Sequence, residues 1–410
     1  MKTSRFACLS VLLPLVAGAA TISNVSFRQD RVTRVVTVNY TLSNDGNPAY
    51  VTMEVLDGGL AIASANINIK TATGDISQID GHVVPDDGQT KTITWPIMSD
   101  CPGLLLANAL IRITAHPVDN PPPKLKYIYI DLSGGPDAAS YPVVATFAAP
   151  DPTDITCISN KLWMRRIEAG TFKQGSPSSE AGRTSNREAQ HQVTLTQPFF
   201  AGVFEVTRAQ YRLVMGSDPG DGSKLTCPVN NLTLSTLVGE GINPAVSNTV
   251  AEGTFFAKIR EKTGMFFNLP TDAQWEYACR AGTTTPYNVE TNATVTVDDL
   301  AWYKANSSQK VQPVGQKPPN AWGLYDMHGN VFEFCRERLN ENLGSGARTD
   351  PLYTGEGGSG FTIRGGSILQ EATACRSAQR NWRAASPSAS GYSAWNIPQD
   401  GFRLWLTLER

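Results

Sequence analysis

The chain has 410 residues, of which 41% are hydrophobic and 18% charged, a composition typical of globular proteins rather than of disordered or fibrous ones. At roughly 100 to 200 residues per domain, this length predicts two or three domains. The 35 Lys and Arg against 37 Asp and Glu leave a formal net charge of −2. This balance argues against a nucleic-acid-binding protein built on a broad basic face.

Residues 1–20 carry the pattern of a secretory signal peptide. Lys2 and Arg5 precede an apolar run at 6–16, and small residues follow at 17–20. The run is shorter than the roughly 20 apolar residues that a membrane span needs, and no later segment is long and apolar enough. We therefore expect cleavage after Ala19 or Ala20, a secreted or periplasmic location, and no membrane span.

Outside the predicted signal peptide the chain has an even number of cysteines. They are Cys101, Cys157, Cys227, Cys279, Cys335 and Cys375. An even number permits disulfides in an oxidising compartment, but the sequence alone does not determine which cysteines pair. None of their spacings is CxxC, and the four histidines, His82, His116, His191 and His328, are scattered singly. A tetrahedral zinc site of Cys and His ligands is therefore not expected.

From residue 22 to about residue 115, apolar and polar residues alternate with a period of two. The alternation is clear at 36–42, 51–55 and 109–115, and turn-forming clusters such as 44–48 and 85–88 lie between the runs. This pattern predicts an all-β sandwich of immunoglobulin or fibronectin type over residues 21–132, with a last strand at 127–132. We interpret this domain as a spacer or a binding module, and the Pro- and Gly-rich residues 133–161 as a linker.

After residue 162 the alternation fades and three helix starts can be identified. Thr207, Thr249 and Thr271 are each followed three residues later by Gln or Glu, the spacing of a capping box. A glycine follows each of these segments and favours the end of a helix, so we predict helices that end near 215, near 263 and before 282. Because the rest of this region shows so little periodicity, we expect buried aromatics, polar networks, disulfides or metal to hold it together.

Residues 162–410 carry a series of distinctive motifs. In chain order they are RIEAGTF at 166–172, QGS at 174–176, HQVTLTQPF at 191–199, FEVT at 204–207, LPTDAQWEYACRAG at 269–282, NAWGLYDMHGNVFE at 320–333, RGGS at 364–367 and GFR at 401–403. These motifs resemble the formylglycine-generating enzyme family, also called sulfatase-modifying factors. Their number and order make the resemblance highly specific. It implies an irregular α+β fold related to C-type lectins.

The oxidases of that family use two cysteines, five residues apart, shortly after the Gly-Gly-Ser motif. Their two thiolates hold copper(I), a soft ligand for a soft metal. In this chain Gln370 stands at the first position and only Cys375 remains. We therefore expect no copper site and predict a non-catalytic ligand-binding or scaffolding protein. The alternative is a formylglycine-generating oxidase, or another enzyme that uses Cys375.

The resemblance also gives Cys375 a structural interpretation. Family members often join the cysteine of the Tyr-Ala-Cys-Arg helix to one in the late Arg-rich segment, which here implies a Cys279–Cys375 disulfide. Such a bridge would contribute roughly 3 to 5 kcal/mol on the chain-entropy account. We favour the disulfide over a reactive thiol.

A calcium site is the cofactor that the resemblance implies. Its ligands would be Asp326, Gly329, Val331 and Glu333. Two carboxylates and two main-chain carbonyls from one tight loop suit a hard cation. The alternative is a polar loop satisfied by its own backbone and water, and Phe332 and Phe334 replace the tryptophans usual in the family. His191 and His328 are interpreted as hydrogen-bonded structural residues.

The last candidate site is a segment that interleaves aromatic side chains with Arg and Asn. Its candidate ligand-binding residues are Arg380, Trp382, Arg383, Tyr392 and Trp395. Aromatic rings and adaptable polar groups are typical of surfaces that bind a protein, a peptide or a glycan. The alternative is a surface loop with a few aromatics in the core. Arg380 is also interpreted, with Arg364, Arg376 and Arg403, as a side chain that ties the fold together.

Overall fold

In the computed structural model of the chain, the residues described are 10–11, 20–29, 35–57, 60–61, 72–74, 76, 84–96, 109–117, 126–146, 148–219, 223–289, 294–355, 360–384 and 399–407. Most of the predicted signal peptide, Cys101, Tyr392 and Trp395 lie outside them. The chain forms two compact units. One comprises residues 1–125 with 142–145 and 410, and the other residues 126–141 with 146–409.

The N-terminal unit consists of β-strands. They are β1 Ser10–Val11, β2 Thr21–Gln29, β3 Val35–Ser43, β4 Ala49–Asp57, β5 Leu60–Ala61, β6 Thr73–Gly74, β7 Thr90–Pro96 and β8 Ala109–Pro117. Hydrogen bonds join them into two four-stranded sheets, in the orders β1-β8-β4-β5 and β2-β3-β7-β6.

The period-two pattern of this unit is confirmed. Along β3 the side chains alternate between buried and half-buried, and every second residue from Val36 to Leu42 lies in the core. One cluster of buried side chains draws Trp95 from one sheet and Met53 and Ile113 from the other. The core therefore lies between the two sheets, as alternating strands require.

The chain after residue 125 mixes short strands with short helices. The strands are β9 Tyr127–Asp131, β10 Val143–Thr146, β11 Lys161–Ile167, β12 Gly170–Gln174, β13 His191–Leu195, β14 Phe199–Gly202, β15 Phe267–Asn268, β16 Phe332–Arg338, β17 Arg348–Thr349, β18 Phe361–Arg364, β19 Asn381–Arg383, β20 Asp400–Gly401 and β21 Trp405–Thr407. The helices are α1 Ile155–Ser159, α2 Arg208–Met215, α3 Leu234–Val238, α4 Phe255–Thr263, α5 Asp272–Arg280 and α6 Val297–Leu300, with a 3₁₀-helix at Ala372–Cys375.

Three groups of strands organise the C-terminal unit. Five strands pair in the order β9-β11-β14-β21-β15, three in the order β12-β13-β17, and four in the order β19-β18-β16-β20. Of the predicted site residues, this four-stranded group carries Trp382 and Arg383 on β19 and Glu333 on β16. No helix among the described residues has the length and apolarity to cross a membrane.

The strand β9 belongs to the C-terminal unit, whereas the sequence pattern assigned it to the sandwich. It pairs with β11 in antiparallel register, with Ile130 opposite Leu162, and Ile128 and Ile130 are fully buried. The segment that follows is also not a free linker. The Tyr141 hydroxyl lies 3.0 Å from the Gly135 carbonyl oxygen and 2.8 Å from that of Leu213 in α2.

Two of the three predicted helix starts are confirmed. Thr207 and Thr271 cap α2 and α5, and each forms a capping box with the glutamine three residues later. The third prediction is wrong, because α4 is capped by Thr254 and not by Thr249. A turn closed by the Thr254 amide and the Ala251 carbonyl occupies the residues between them.

Candidate functional site

The turn after β18 places Cys375. Gly365 and Gly366 both adopt left-handed backbone conformations, with φ of +89° and +77°. A Cβ atom on Gly366 would lie 2.5 Å from the Cys375 sulfur. Glycine is therefore required at this position both for its φ and for the close approach of the thiol.

Cys375 is an inaccessible, protonated thiol. Its side chain has no exposed surface, and burial raises the pKa of the thiol to about 12. Its sulfur lies 3.9 Å from the Glu371 carbonyl oxygen. Because the thiolate is the form that attacks substrates and binds soft metals, this environment disfavours the alternative of an enzyme that uses Cys375.

Gln370 stands where the oxidases of the resembled family have their first cysteine. It is half-buried and is held through its backbone, since its amide donates to the Ser367 carbonyl at 3.0 Å and its carbonyl accepts from the Lys304 amide at 3.0 Å. An amide side chain here supplies no thiolate, so the residues present do not fit a two-cysteine copper centre.

The Cys279–Cys375 disulfide that the resemblance implies is not formed in this structure, where both cysteines are free thiols. The Cys279 sulfur lies 3.6 Å from the Ser377 hydroxyl and 3.8 Å from His328 Nε2. His328 Nδ1 in turn lies 2.7 Å from the Cys375 carbonyl oxygen. The imidazole therefore contacts both cysteine segments, and burial lowers the pKa of His328 to about 4, which keeps the ring neutral. This contact agrees with the structural role predicted for His328.

The two carboxylates predicted to bind calcium are both buried, Asp326 in the loop that leads into β16 and Glu333 at the start of that strand. Glu333 accepts from Arg403 Nη2 at 2.8 Å and from Trp275 Nε1 at 2.8 Å. Asp326 accepts from the Gly315 amide at 2.7 Å through Oδ2, while its buried Oδ1 has no hydrogen-bond partner in the described part of the chain.

The main-chain amides of the same loop are fixed by neighbours. The Gly329 amide donates to the Gly365 carbonyl at 2.7 Å, and the Val331 amide donates to Glu205 Oε1 at 3.1 Å. Within the described residues no group of three or more His, Cys, Asp and Glu side chains is arranged to hold a metal ion. A cation at this loop would therefore depend on main-chain carbonyl oxygens as well as on carboxylates.

Glu205 is a third buried carboxylate of this cluster, and the sequence analysis did not single it out. It lies inside the FEVT motif, which was the available signal, and its Oε2 accepts from the Asn330 side-chain amide at 2.7 Å. Burial raises the pKa of Glu205 well above its usual range, and the negative charges of Asp326 and Glu333 raise it further. Burial also raises the pKa of Asp326 to about 6.

The charge of this cluster is unbalanced. Three carboxylates, on Glu205, Asp326 and Glu333, act on one guanidinium, that of Arg403. Buried charge is stable only when it is paired, protonated or bound to a metal. Together with the unpartnered Asp326 Oδ1, this imbalance fits a bound cation at the loop.

Arg380 lies in the interior and does not face a ligand surface. Its side chain is 1% exposed and its Nε lies 2.8 Å from Asp272 Oδ2. Its Nη1 donates to the carbonyls of Arg187 and Asn340 at 2.9 and 2.7 Å. The interpretation of Arg380 as a residue that ties the fold together is confirmed, and its assignment to a ligand-binding surface is not supported by this position.

The other three late arginines are buried in the same way. Arg364 pairs with Asp272 and Glu276, and Arg376 pairs with Glu180 and Glu188. Their guanidinium groups, like that of Arg403, are almost fully buried. Sequence alone did not reveal their acidic partners on α5 and in the loop before β13, because these lie far away along the chain.

Trp382 and Arg383 occupy the edge strand β19 and are half-buried. Arg383 Nε lies 2.6 Å from Asp400 Oδ2, and the guanidinium carbon lies 5.1 Å from the centre of the Phe332 ring. Burial raises the pKa of Asp400 to about 6 despite this ion pair. Of the five predicted ligand-binding residues, these two are therefore placed together near the surface.

Comparison with known proteins identifies the C-terminal unit. Residues 159–403 match the sulfatase-modifying factor enzyme 1-like domain, over more than half of the chain. The chain belongs to this family. Glu333, Arg364 and Arg403 all lie within the matched residues, as do Gln370 and Cys375.

Several curated proteins are similar to parts of this chain. A chaperone protein LppX of Paenibacillus barcinonensis is 29% identical over 230 residues, which is 47% of this chain and 77% of the relative. A serine/threonine-protein kinase pkn1 of Chlamydia caviae is 23% identical over 201 residues, 48% of this chain and 31% of the kinase.

Two solved structures are also similar. Treponema denticola variable protein 1 has a TM-score of 0.48 at 24% identity, with 61% of this chain and 96% of that chain covered. PvdO from Pseudomonas aeruginosa has a TM-score of 0.48 at 24% identity, with 64% of this chain and 100% of that chain covered.

Proposed function

We propose that this chain is an exported, non-catalytic member of the sulfatase-modifying factor family that binds or scaffolds a protein, peptide or glycan ligand. The observation that carries the proposal is the combination of a glutamine at position 370 and a fully buried thiol at Cys375. A glutamine and an inaccessible thiol with a pKa of about 12 do not provide the two thiolates that copper-dependent oxidation needs.

Copper binding and peptide oxidation test this proposal. We expect the purified protein to show no tight stoichiometric copper(I) binding, and to leave a Cys-x-Pro-x-Arg peptide unoxidised under oxygen and reductant. Formylglycine in the peptide by mass spectrometry, or stoichiometric copper, would contradict it. The variant Gln370→Cys restores two cysteines at the family spacing, and Gln370→Ser is the matched control. A gain of copper by Gln370→Cys alone, after mild reduction, would identify residue 370 as the cause.

The ligand surface that we propose is centred on Trp382 and Arg383, with Tyr392 and Trp395 as further candidates. Trp382 and Arg383 are supported by their position on an edge strand, where aromatic and guanidinium groups can reach a partner. The variants Trp382→Ala and Arg383→Met should reduce retention on a glycan and peptide array by the full-length protein. Retention unchanged in both variants would remove this surface from the proposal.

We further propose that calcium stabilises the loop through Asp326, Glu333 and the carbonyl oxygens of Gly329 and Val331. The support is the unpartnered Asp326 Oδ1 and the excess of negative charge around Arg403. Calcium would supply positive charge there, in a site built from oxygen ligands. A proton on Glu205 is the competing way to balance the same cluster.

Thermal unfolding distinguishes these two possibilities. A ligand that binds only the folded state stabilises it by RT ln(1 + [L]/Kd), about 2.7 kcal/mol at a hundredfold excess over Kd. We expect calcium to raise the unfolding midpoint relative to a chelator, and expect Asp326→Asn to abolish the rise. Glu341→Gln, which changes a half-buried glutamate paired with Arg187 and outside this cluster, is the control and should keep it. An identical midpoint with calcium and with chelator would favour the proton.

The N-terminal unit is proposed to be an immunoglobulin-like spacer or binding module on an exported protein. Its support is the pair of sheets around one core, to which β2 to β8 belong without β1 of the predicted signal peptide, and the signal-like pattern of residues 1–20. Mass spectrometry of the protein expressed with its first residues should find a mature chain that begins at Ala20 or Thr21. An uncleaved chain would contradict export through this signal.

A further inference from the structure

A second surface, separate from the candidate site, is organised by two arginines that hold one turn. Arg260, in the last turn of α4, donates to the Asn248 carbonyl at 2.6 Å and to the Phe267 carbonyl at 2.8 Å. Arg336, on β16, donates through Nε and Nη2 to the Pro244 carbonyl, at 3.0 and 2.7 Å. Two arginine side chains therefore hold the turn at 243–248 through hydrogen bonds to its carbonyl oxygens.

Arg260 differs from the buried arginines of the candidate site because its hydrogen bonds go to neutral carbonyls. Arg364, Arg376 and Arg403 each pair with carboxylates, whereas in the described part of the chain both hydrogen bonds of Arg260 go to main-chain oxygens. Burial, and then the positive charge of Arg336, lower the pKa of Arg260 to about 10. A half-buried cation in such surroundings creates a local potential that attracts an anion.

Exposed apolar side chains flank this cation. The Phe266 side chain is 39% exposed, and the Arg260 guanidinium carbon lies 3.9 Å from the centre of its ring. Val246 lies in the turn at 243–248 and is 59% exposed. Single exposed hydrophobics need no explanation, but here the Arg260 guanidinium lies over the ring of one, Phe266, and holds the turn that contains another, Val246.

We propose that Arg260, Phe266, Val246 and Arg336 form a docking surface, the Arg260 surface, for an acidic segment of a partner protein in which a carboxylate adjoins an apolar side chain. The planar guanidinium, kept in place by Phe266 on one face, can take a carboxylate in two parallel hydrogen bonds. Arginine and aromatic residues are the types that carry most of the binding energy at interfaces. The apolar neighbour of the carboxylate would pack on Phe266 and Val246.

Charge complementarity selects this occupant over a purely apolar partner. An apolar partner would bury the Arg260 charge without pairing it, which is costly. A carboxylate would instead offset the burial that already lowers the pKa of Arg260. The surface goes beyond the proposed function, since none of its residues belongs to β19 or to the calcium loop.

The test uses the full-length protein and a pool of capped peptides with a fixed glutamate between apolar residues, compared with the same pool carrying glutamine. We expect the glutamate pool to be retained and its best members to bind about tenfold more tightly than their glutamine versions, because a hydrogen bond between two charged groups is roughly twice as strong as one between neutral groups. Arg260→Met should remove that preference, and Phe266→Ser should weaken both pools. Arg212→Met, at an exposed arginine paired with Asp218, is the control.

Each outcome decides the proposal. A glutamate preference that is lost in Arg260→Met and kept in Arg212→Met supports the surface. Equal retention of the two pools, no retention of either, or a preference that survives Arg260→Met would overturn it. Unfolding midpoints are measured for every variant, and Phe266→Ser, which changes a partly exposed ring, provides the decision if Arg260→Met fails to fold.

Discussion

Glu337 is a residue whose environment predicts how stability changes with pH. It is fully buried on β16, and its Oε2 has no hydrogen-bond partner within the described residues. Burial first, and then the negative charge of Asp272, raise the pKa of Glu337 from 4.5 to about 8. Between these two pH values the unfolded chain has released the proton while the folded chain keeps it, so stability falls as pH rises.

We expect Glu337→Gln to remove this part of the pH dependence. The free energy of unfolding in urea should decline more steeply from pH 5 to pH 8 in the unsubstituted protein than in the variant, by about 3 kcal/mol in order of magnitude. Glu341→Gln, at a half-buried glutamate whose carboxylate pairs with Arg187, should follow the unsubstituted protein. Parallel declines in Glu337→Gln and the unsubstituted protein would show that the buried carboxyl does not keep its proton.

The structural role of a single residue could be predicted where a local sequence motif indicated it. It could not be predicted where the residue's partners lie far away along the chain. Thr207 and Thr271 were found from a spacing of three residues, because a capping box is local. The carboxylate partners of Arg376 were not found, since Glu188 lies 188 positions away. The inaccessibility of Cys375 was also invisible in the sequence, as it arises from packing against Gly366.

The turn between β18 and the 3₁₀-helix shows how one element constrains another. Gly366→Ala should destabilise the protein more than Gly264→Ala, because both residues have left-handed backbones but only Gly366 faces a sulfur atom. The backbone conformation costs about 1 to 2 kcal/mol at either position, and overpacking adds about 1 to 3 kcal/mol at Gly366. Free energies of unfolding in urea measure the difference. Equal losses in the two variants would mean that the Cys375 segment shifts freely.

The sequence predicted strands in which apolar and polar residues alternate clearly. It did not predict short elements whose residues show no such period. The alternation of β3 sets its buried face, and the structure has the same face in the core. The short helices α1 and α3 gave no helical period, since five residues span little more than one turn. The strand β9 was seen as a strand but given to the wrong domain, because local pattern does not reveal the pairing partner.

At the scale of the whole molecule, the C-terminal unit begins before the family motifs do. The family match starts at residue 159, yet β9 and Tyr141 pack within this unit from residue 126 onward. Ile128 and Ile130 are fully buried, and full burial of such a side chain contributes about 1.5 to 3 kcal/mol. Residues 126–141 and 146–158 are therefore expected to be part of the folding unit and not an accessory to it.

A pair of fragments tests this boundary. A fragment of residues 126–410 should unfold cooperatively and close to the midpoint of the corresponding transition in the full chain, whereas a fragment of residues 159–410 should unfold at a lower temperature or fail to fold. The reason is that removal of β9 exposes the edge of β11 and the apolar surface that Ile128 and Ile130 cover. In the full chain, Ile130→Ala should lower the free energy of unfolding of the C-terminal unit by about 2 to 5 kcal/mol. Ser133→Ala, at an exposed position just after β9, should leave that free energy nearly unchanged. If the shorter fragment is as stable as the longer one and Ile130→Ala has no effect, the unit begins where the family match begins.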